Sequence, residues 1–263
     1  MDVARYLERI QYDGRLTPTM EILNTLQRQH VLHIPFENLD IHYKTPINLD
    51  INHIFEKVVG RKRGGFCYEL NGLFFELLMS IGFNVKMVSA RVFNNEQQTI
   101  SAEFDHLAII ATIASMDYLV DVGFGEFALQ PLKIELEKNQ NDPRGAFRIE
   151  KYDGTYYKVS KLTGDQWIIE YIFSLKERQL DEFKEMCQYH QTSPQSHFTQ
   201  NKLCSLATEN GRITLTTDKI KIKEGDTITE RALKSEEDFL SALEEYFNIS
   251  LQSSFDLAGN NSY

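Results

Sequence analysis

The spacing of hydrophobic residues changes about one third of the way along the chain. Up to about residue 83, apolar side chains recur three and four positions apart, most clearly over residues 70–81, which is the pattern of one buried helix face. Gly82 follows as a typical helix terminator. This part is therefore predicted to be helical, with further helices near the N-terminus, from residue 20 and around residues 51–59. The segment HIPFENLDIHYKTP is predicted to be an irregular link.

From about residue 85 the pattern favours strands. The segments are short and rich in β-branched residues, as in VKMVSARVF and HLAIIATI. Asp153-Gly154 predicts a hairpin turn. The predicted strands are residues 85–93, 106–113, 118–124, the two arms of a hairpin within 147–162, and 165–173. Strands at this close spacing indicate an antiparallel sheet or barrel.

The last part of the chain mixes both patterns. DEFKEMCQYHQ predicts a helix, residues 212–230 a hairpin across Glu224-Gly225, and residues 235–249 a helix that opens with a capping Ser-x-x-Asp. The tail LAGNNSY is expected to be loosely ordered. Because helices come first, then strands, then a mixed segment, the sequence predicts the α+β class and not alternating βαβ units.

Composition and charge narrow the class of protein. The 263 residues are 42% hydrophobic and 25% charged, which is typical of a soluble globular protein. The net charge of −10 argues against binding to nucleic acid or to anionic membranes, but a local basic group can still hold a small anion. No signal-peptide core or membrane-length apolar run is present. Three cysteines without CxxC or zinc spacing predict a cytoplasmic protein with no metal.

The stretch RKRGGFC places a cysteine at the start of the long helix. Cys67 would lie where free backbone N–H groups and the helix dipole present positive charge. This position, with Arg61–Arg63 nearby, is expected to lower the pKa of the thiol and favour the thiolate. Gly64 and Gly65 are expected to allow a tight turn that side chains would block. The alternative is a buried structural cysteine, the common fate of a free thiol.

A nucleophilic cysteine needs a base and a group that orients the base, usually from other elements. His106 begins one predicted strand, and Asp121 lies near the end of the next. Antiparallel pairing would make the two residues neighbours. Asp105 should point to the opposite face of the strand, and Asp117 lies at the wrong end.

Less specific interpretations of these residues stay open. A lone histidine at a strand edge is often a surface residue, and an aspartate before a glycine turn is often a turn former. His190 and His197 fall in a later segment and could approach the site.

Two further motifs have a functional interpretation beside an ordinary one. In HIPFENLDIH, Glu37 stands between apolar residues, so it would need a cation if buried, and Arg63 is the candidate. A surface position for Glu37 is the alternative. The turn GFGEF at 123–127 would let a ligand approach the backbone closely, but isolated glycine turns are common.

Together these stretches resemble one family. HIPFENL, RGGFCYELN, the histidine of DHLAII and YLVDVGFG are similar, in the same order, to motifs of the arylamine N-acetyltransferases. SPQSHFTQNKLCSL is similar to the Ser-Pro-x-Ser-x-Phe region of that family. The matches span about the first three quarters of the chain.

The resemblance implies a fold and a set of site residues. The fold would be a helical N-terminal bundle over residues 1–84, an antiparallel β-barrel over 85–180 and an α/β lid over 181–263, with a papain-like Cys-His-Asp triad. The implied site residues are the triad Cys67, His106 and Asp121; the acceptor-site residues Phe36, Phe124, Gly125 and Phe127; the CoA-site residues Thr199, Gln200 and Lys202; and the structural ion pair of Arg63 with Glu37.

The resemblance also implies an activity. The protein would transfer an acetyl group from acetyl-CoA to aromatic amines or hydrazines by a ping-pong mechanism through an acetyl-cysteine, in xenobiotic metabolism. The rivals are an amide synthase that uses longer acyl thioesters, a papain- or transglutaminase-like cysteine hydrolase, and a ligand-binding protein without activity. Asp105 replaces a small hydroxyl residue found in many members, so its effect on the triad is an open question. The GFGEFALQPL segment is shorter than in vertebrate members, so their amine preference does not transfer to this chain. The long interdomain insertion of vertebrate members is absent, which implies a more open CoA cleft.

Overall fold

A computed structural model describes residues 1–251 of the chain. The helices, in chain order, are α1 (Val3–Arg9), α2 (Met20–His33), α3 (Leu39–His42), α4 (Ile51–Phe55), α5 (Cys67–Ile81), α6 (Lys184–Thr192), α7 (His197–Gln200) and α8 (Glu236–Phe247). A π-helical turn, Glu56–Gly60, extends α4, and a 3₁₀ turn, Leu180–Phe183, precedes α6.

All strands except the short β1 lie from residue 84 onward. They are β1 (Phe36–Glu37), β2 (Asn84–Asn94), β3 (Thr99–Ile100), β4 (His106–Ile113), β5 (Met116–Val120), β6 (Leu132–Lys133), β7 (Asn139–Asp142), β8 (Gly145–Lys151), β9 (Tyr156–Thr163), β10 (Gln166–Arg178), β11 (Leu203–Thr208), β12 (Gly211–Thr216), β13 (Lys219–Glu224) and β14 (Thr227–Ala232).

Two antiparallel sheets organise these strands. The larger has the order β6-β5-β4-β2-β10-β9-β8-β7, with β3 paired to β2, and curls into a nearly closed barrel. The smaller has the order β1-β11-β12-β13-β14. The predicted α+β class with an antiparallel barrel is therefore confirmed.

Strand β4 lies between two hydrophobic cores. Leu107 and Ile109 pack into the core formed with α5, while Ala108 and Ile110 face the barrel interior. Burial on both faces explains why HLAIIATI is an almost continuous apolar run without alternation. The first residue of β4 is His106. It lies near the N-terminal end of α5, where Asn71 bonds to the carbonyl of Leu107.

Helix α5 is the central helix of the fold. Its residues from Cys67 to Phe74 are all buried, and it packs on β4 and β2. Gly82, with φ of 99°, ends it in the left-handed conformation that glycine adopts most easily. The predicted helix end is confirmed.

Several predicted boundaries differ from the structure. The segment predicted as an irregular link contains β1, which pairs Phe36 with Ser205 and Glu37 with Cys204. A strand of two residues is too short to show a period. Residues 212–230 hold parts of three strands, because a second turn at Thr217 and Asp218 separates β12 from β13.

The remaining expectations concern membrane-spanning helices, the C-terminal tail and the segment boundaries. Among residues 1–251, no helix combines the length and the apolar character needed to cross a membrane. The expectation for the tail, residues 257–263, lies outside the described residues. The two predicted boundaries between the three segments, near residues 84 and 180, stay predictions.

We expect Leu73→Ala to destabilise the fold strongly. Leu73 is fully buried on α5, so the truncation leaves a cavity in the central core. The free energy of unfolding should fall by about 2–5 kcal/mol. Met79→Ala on the same helix, where 51% of the residue is exposed, should change it by less than about 0.5 kcal/mol. Urea denaturation of both variants measures the difference, and equal effects would contradict the central position of α5.

Candidate functional site

The turn before α5 has no room for a side chain. A Cβ atom on Gly64 would lie 2.0 Å from the carbonyl oxygen of Pro35, so the close approach requires glycine. The backbone N–H of Glu37 donates to the carbonyl of Gly65 at 2.9 Å, which joins β1 to the turn. Gly64 has no left-handed φ, so it is space, and not conformational freedom, that selects glycine here. Cys67 follows as the first residue of the helix.

Asp121 accepts four hydrogen bonds just after β5. Its Oδ2 accepts from His106 Nε2 at 2.7 Å and from the Tyr171 hydroxyl at 2.9 Å. Its Oδ1 accepts from Asn71 Nδ2 and from the Gly123 backbone N–H, each at 2.9 Å. The carboxylate is 1% exposed, so these bonds compensate for its lost hydration. It is fixed in place by two strands, the loop after β5 and α5.

The sequence did not indicate two of these partners, Asn71 and Tyr171. Asn71 lies one turn after Cys67 on α5 and also donates to the carbonyl of Leu107 at 2.7 Å and accepts from Val122 N–H at 2.9 Å. Its side chain therefore aligns the helix with the ends of β4 and β5. The only sequence signal was a polar residue inside an apolar helix pattern, and that signal also fits a surface position.

The structure places His106 and Asp121 in contact, in the way that antiparallel pairing predicts. Ile109 pairs with Val120, so Asp121 follows directly beyond the end of that ladder. Because the carboxylate accepts from Nε2 of His106, that nitrogen carries the hydrogen and Nδ1 is left as the basic atom. The other candidate, Asp117, binds the Thr112 hydroxyl at 2.6 Å instead.

A cavity of about 870 Å³ contains Cys67 and His106 in its wall. The remaining wall comes from the β2–β3 region, the loop after β5, the segment around α6 and α7, and strands β11 and β12. The backbone of Gly123 packs directly on that of Cys67, since a Cβ atom on Gly123 would lie 2.8 Å from the Cys67 Cα. Thiol and imidazole therefore share one solvent-accessible chamber.

Three of the four predicted acceptor-site residues line this cavity: Phe36, Phe124 and Gly125. The ring of Phe124 lies 5.1 Å from that of His106. The prediction for Phe127 is wrong, because this residue is 3% exposed in the barrel core, where its ring packs on those of Phe147 and Tyr171. In GFGEF, one aromatic side chain faces the cavity and the next faces the interior.

The predicted CoA-site residues do not line the cavity. The hydroxyl of Thr199 donates to the carbonyls of Ser193 and Ser196, and Gln200 Nε2 donates to Pro194 O at 3.3 Å. Lys202 forms an ion pair with Glu236, so its charge is already compensated. The ammonium group of Lys202 also lies 4.6 Å from the ring centre of Phe239. These contacts do not support Lys202 as a phosphate ligand, and that assignment stays a prediction.

Burial reverses the expectation for the thiol of Cys67. Burial raises its pKa, and the carboxylates of Asp105 and Asp121 raise it further. A hydrogen bond from the Leu107 backbone acts in the opposite direction but is the weaker effect. The prediction of a lowered pKa considered the helix N-terminus and the nearby basic residues, but not burial. Proton transfer to His106 leaves the net charge of the pair unchanged, so the pair can hold a thiolate that the lone buried thiol would resist.

Beneath the nucleophile lies a buried charge network of five side chains. Arg63 contacts Glu37 at 2.7 Å and Asp40 at 2.8 Å. Lys57 contacts Asp40 at 2.8 Å and Glu69 at 2.9 Å. None of the five is more than 7% exposed. The structure thus places the predicted pair of Arg63 and Glu37 within a larger network, whose other three members the sequence did not indicate.

The network joins the start of α5 to the segment around β1. Glu69 Oε2 accepts the backbone N–H of Phe66 at 3.1 Å, and Glu37 Oε2 accepts that of Leu39 at 2.8 Å. The three carboxylates outnumber the two cations. Burial raises the pKa of Glu69 to about 7 although Lys57 opposes this. The pKa of Asp40 stays below its usual range, because Lys57 and Arg63 outweigh the effect of burial.

His190 and Asp105 also line the cavity. His190 is 6% exposed, and its Nε2 lies 3.1 Å from Asp105 Oδ1. The sequence left the approach of His190 open. Asp105 does not contact His106, as expected, but its side chain reaches the same cavity and not an opposite face, because it precedes β4 in a bend after Phe104, whose φ is 66°.

In the part of the chain that the structure describes, no group of three or more His, Cys, Asp or Glu side chains is arranged to hold a metal ion. The three cysteines are free and buried.

Comparison with known proteins connects this site to a family. The N-acetyltransferase family model matches residues 19–255. Arylamine N-acetyltransferase 1 of Homo sapiens is 34% identical over 277 residues, covering 96% of this chain and 95% of that protein. The arylamine N-acetyltransferase of M. tuberculosis superposes with a TM-score of 0.90 at 28% identity, covering 96% of each chain. That of Bacillus cereus, described with a unique Cys-His-Glu catalytic triad, gives 0.88 at 26% identity over 95% of this chain and all of that one.

We expect Glu69→Gln to change how stability depends on pH. The pKa of Glu69 is higher in the folded state than in the unfolded state, so its contribution to stability is present below about pH 4.3 and is lost as pH rises through about 7. The variant removes this loss and leaves two cations with two carboxylates. Its free energy of unfolding, relative to that of the native protein, should therefore increase between pH 5 and pH 8 in urea titrations.

Lys57→Met is the contrasting variant for that prediction. It leaves three carboxylates with one cation, and breaking such a buried pair costs about 3–5 kcal/mol. Parallel pH curves for the native protein and Glu69→Gln would contradict the assigned role of Glu69.

Proposed function

The chain belongs to the arylamine N-acetyltransferase family, and on this premise we propose that it transfers the acetyl group of acetyl-CoA to the nitrogen of arylamines and arylhydrazines. One observation carries the proposal: Cys67 and His106 line a single cavity with an aromatic wall, and Asp121 binds His106 from the buried side. A thiol, a base and an orienting carboxylate are the parts that acyl transfer through a thioester needs.

In the first half-reaction, His106 Nδ1 takes the proton of Cys67, and the thiolate attacks the thioester carbonyl of acetyl-CoA. Backbone N–H groups at the start of α5, including that of Cys67, are positioned to stabilise the oxyanion. The bond between the carbonyl carbon and the CoA sulfur breaks, and the departing thiolate takes the proton from His106. The acetyl group remains on Cys67 as a thioester, which keeps its reactivity.

In the second half-reaction, an aromatic amine or hydrazine enters the same cavity after CoA leaves. Phe36, Phe124 and Phe198 give the cavity aromatic surfaces for the acceptor ring. The amine attacks the acetyl carbon, His106 accepts the proton from nitrogen, and Cys67 leaves as a thiolate that regains a proton. Asp121 stabilises the imidazolium formed in both halves.

A second cavity is the better candidate for the phosphates of CoA. It has a volume of about 960 Å³, lies between the barrel and the smaller sheet, and shares Glu126 and Arg212 with the catalytic cavity. Arg144 and Arg212 donate to backbone carbonyls and to a serine hydroxyl there, and not to carboxylates. Burial lowers the pKa of Arg212 to about 10, repulsion from Arg144 adds to this, and the carboxylate of Glu126 opposes it. An anion would balance the positive charge that Arg144 and Arg212 bring together, on a wall that also carries the carboxylates of Glu126, Glu209, Glu224 and Asp226.

The setting of the reaction is part of the proposal. Buried free thiols, including a catalytic one, are compatible with a reducing compartment such as the cytoplasm. Human and bacterial relatives are named for arylamine acetylation, which supports a role in the metabolism of foreign aromatic amines.

The acetyl-cysteine intermediate should be directly observable. Incubation with acetyl-CoA in the absence of an amine should add one acetyl group to the intact mass, and the adduct should be absent in Cys67→Ala. Subsequent addition of an arylamine should remove it at the rate at which amide appears. A stable acetyl group elsewhere, or an acyl adduct formed only from peptides, would contradict the proposal. Faster transfer of long acyl chains would indicate an amide synthase.

Arg144→Gln should weaken binding of acetyl-CoA. A charge-assisted hydrogen bond is worth about 1.5–3 kcal/mol, so the KM for acetyl-CoA should rise about tenfold to a hundredfold. The KM for p-nitrophenyl acetate, which has no phosphate, should change much less. Arg148→Gln is the matched control, because Arg148 stacks on Trp167 and pairs with Glu150 outside both cavities. An equal rise for both acetyl donors would place the phosphates elsewhere.

A further inference from the structure

Two histidines line the catalytic cavity, each of them paired with an aspartate, and the mechanism above uses only one of these pairs. His106 and Asp121 form the first pair. The second pair, His190 on α6 and Asp105 just before β4, has its closest atoms 3.1 Å apart. Asp105 and His106 are consecutive residues, so the two pairs share the start of one strand.

The second pair is built into its surroundings on both sides. His190 Nδ1 lies 3.1 Å from the Ser196 hydroxyl, so both ring nitrogens face polar atoms. Tyr68, the residue after Cys67, donates its hydroxyl to the carbonyls of Phe104 at 2.8 Å and Asp105 at 3.1 Å. Its ring centre lies 6.1 Å from that of His190. The nucleophile segment, the pre-β4 bend and α6 are thus held together around the pair.

We propose that Asp105 and His190 are positioning residues that set how readily Cys67 gives its proton to His106. This inference rests on the proposed function. When the ring of His190 carries a proton, the charge of Asp105 is balanced within the pair. When the ring is neutral, the negative charge of Asp105 acts on the sulfur and opposes formation of the thiolate.

The other ionisable groups around these residues do not provide the same control. Cys67 is influenced by Asp105, Asp121 and Cys187 and shares its cavity with His106 and His190. Asp121 is bound to four donors, including His106, so its charge is compensated by fixed contacts. Besides Asp105, the titratable groups beside His190 are two phenols, those of Tyr68 and Tyr189.

The ionisation behaviour of the residues agrees with this role. After burial, Asp105 is the largest influence that raises the pKa of Cys67. The pKa of Asp105 itself is lowered although burial acts to raise it, chiefly because His190 is beside it. Asp105 therefore carries its charge inside the cavity, directly beside the ring of His190.

The test measures alkylation of Cys67 by iodoacetamide as a function of pH, with quantification of the Cys67 peptide by mass spectrometry. Asp105→Asn should move the midpoint of the alkylation curve to lower pH by about one pH unit. Side-chain pKa values in folded proteins vary by about this amount. His190→Gln should move the midpoint upward, and should have little effect when Asp105 is already Asn. Asp105→Glu keeps the charge and should restore a midpoint close to the native one.

The control is His53→Gln. His53 also lies 3.1 Å from an aspartate, Asp50, but on the exposed surface of α4 and away from the cavity. The alkylation curve of Cys67 in His53→Gln should match that of the native protein. Unchanged midpoints in Asp105→Asn and His190→Gln, or an upward shift in Asp105→Asn, would overturn the inference. If Asp105→Asn does not fold, His190→Gln and Asp105→Glu carry the test.

Alkylation needs no acetyl-CoA, so this result is independent of the proposed reaction. The pH dependence of kcat/KM for acetyl-CoA is the second measurement and should shift in the same direction in each variant. If the alkylation midpoints shift as expected but no acetyl transfer is detected, the positioning role of Asp105 and His190 is supported and the proposed acetyltransferase activity is rejected.

Discussion

The site depends on a buried charge network under the turn that carries the nucleophile. Arg63 and Lys57 neutralise carboxylates that come from β1, α3 and the first turn of α5, and the carboxylate of Glu69 also accepts the backbone N–H of Phe66, the residue before that helix. Taking these charges out of water is costly unless each keeps its partners, so the segments cannot separate without exposing an unpaired charge to an apolar core. The position of Cys67 is therefore fixed from below by electrostatics and not only by hydrophobic packing.

A second set of contacts fixes the same helix from the side. Asn71 bonds the ends of β4 and β5 and also the carboxylate that holds His106. The distance between nucleophile and base is thus determined by one helical turn and two strand ends, all rigid elements. Preorganisation of this kind lowers the cost of bringing reacting groups together, because little has to be ordered when substrate arrives.

The sequence predicted the features that are local or periodic. It located β4 because both faces of that strand are buried, and it joined His106 to Asp121 because antiparallel pairing constrains neighbouring strands. It also suggested Glu37 as a buried carboxylate, since apolar residues surround it. It missed the direction of the Cys67 pKa, because burial depends on segments far away in the chain. It assigned Lys202 to phosphate, because the carboxylate that pairs with it lies 34 residues further on.

The two-residue strand β1 has a consequence for how far the three parts of the chain are separable. Phe36 bridges to Gly65 on one side and pairs with Ser205 on the other, so the turn before the nucleophile and the terminal sheet share one piece of backbone. Loss of the terminal sheet would leave an unsatisfied edge directly beside the catalytic thiol. Deletion of the terminal sheet would therefore disturb the turn that carries the nucleophile and not only the last part of the chain. The third segment is a structural component of the active site and not an accessory module.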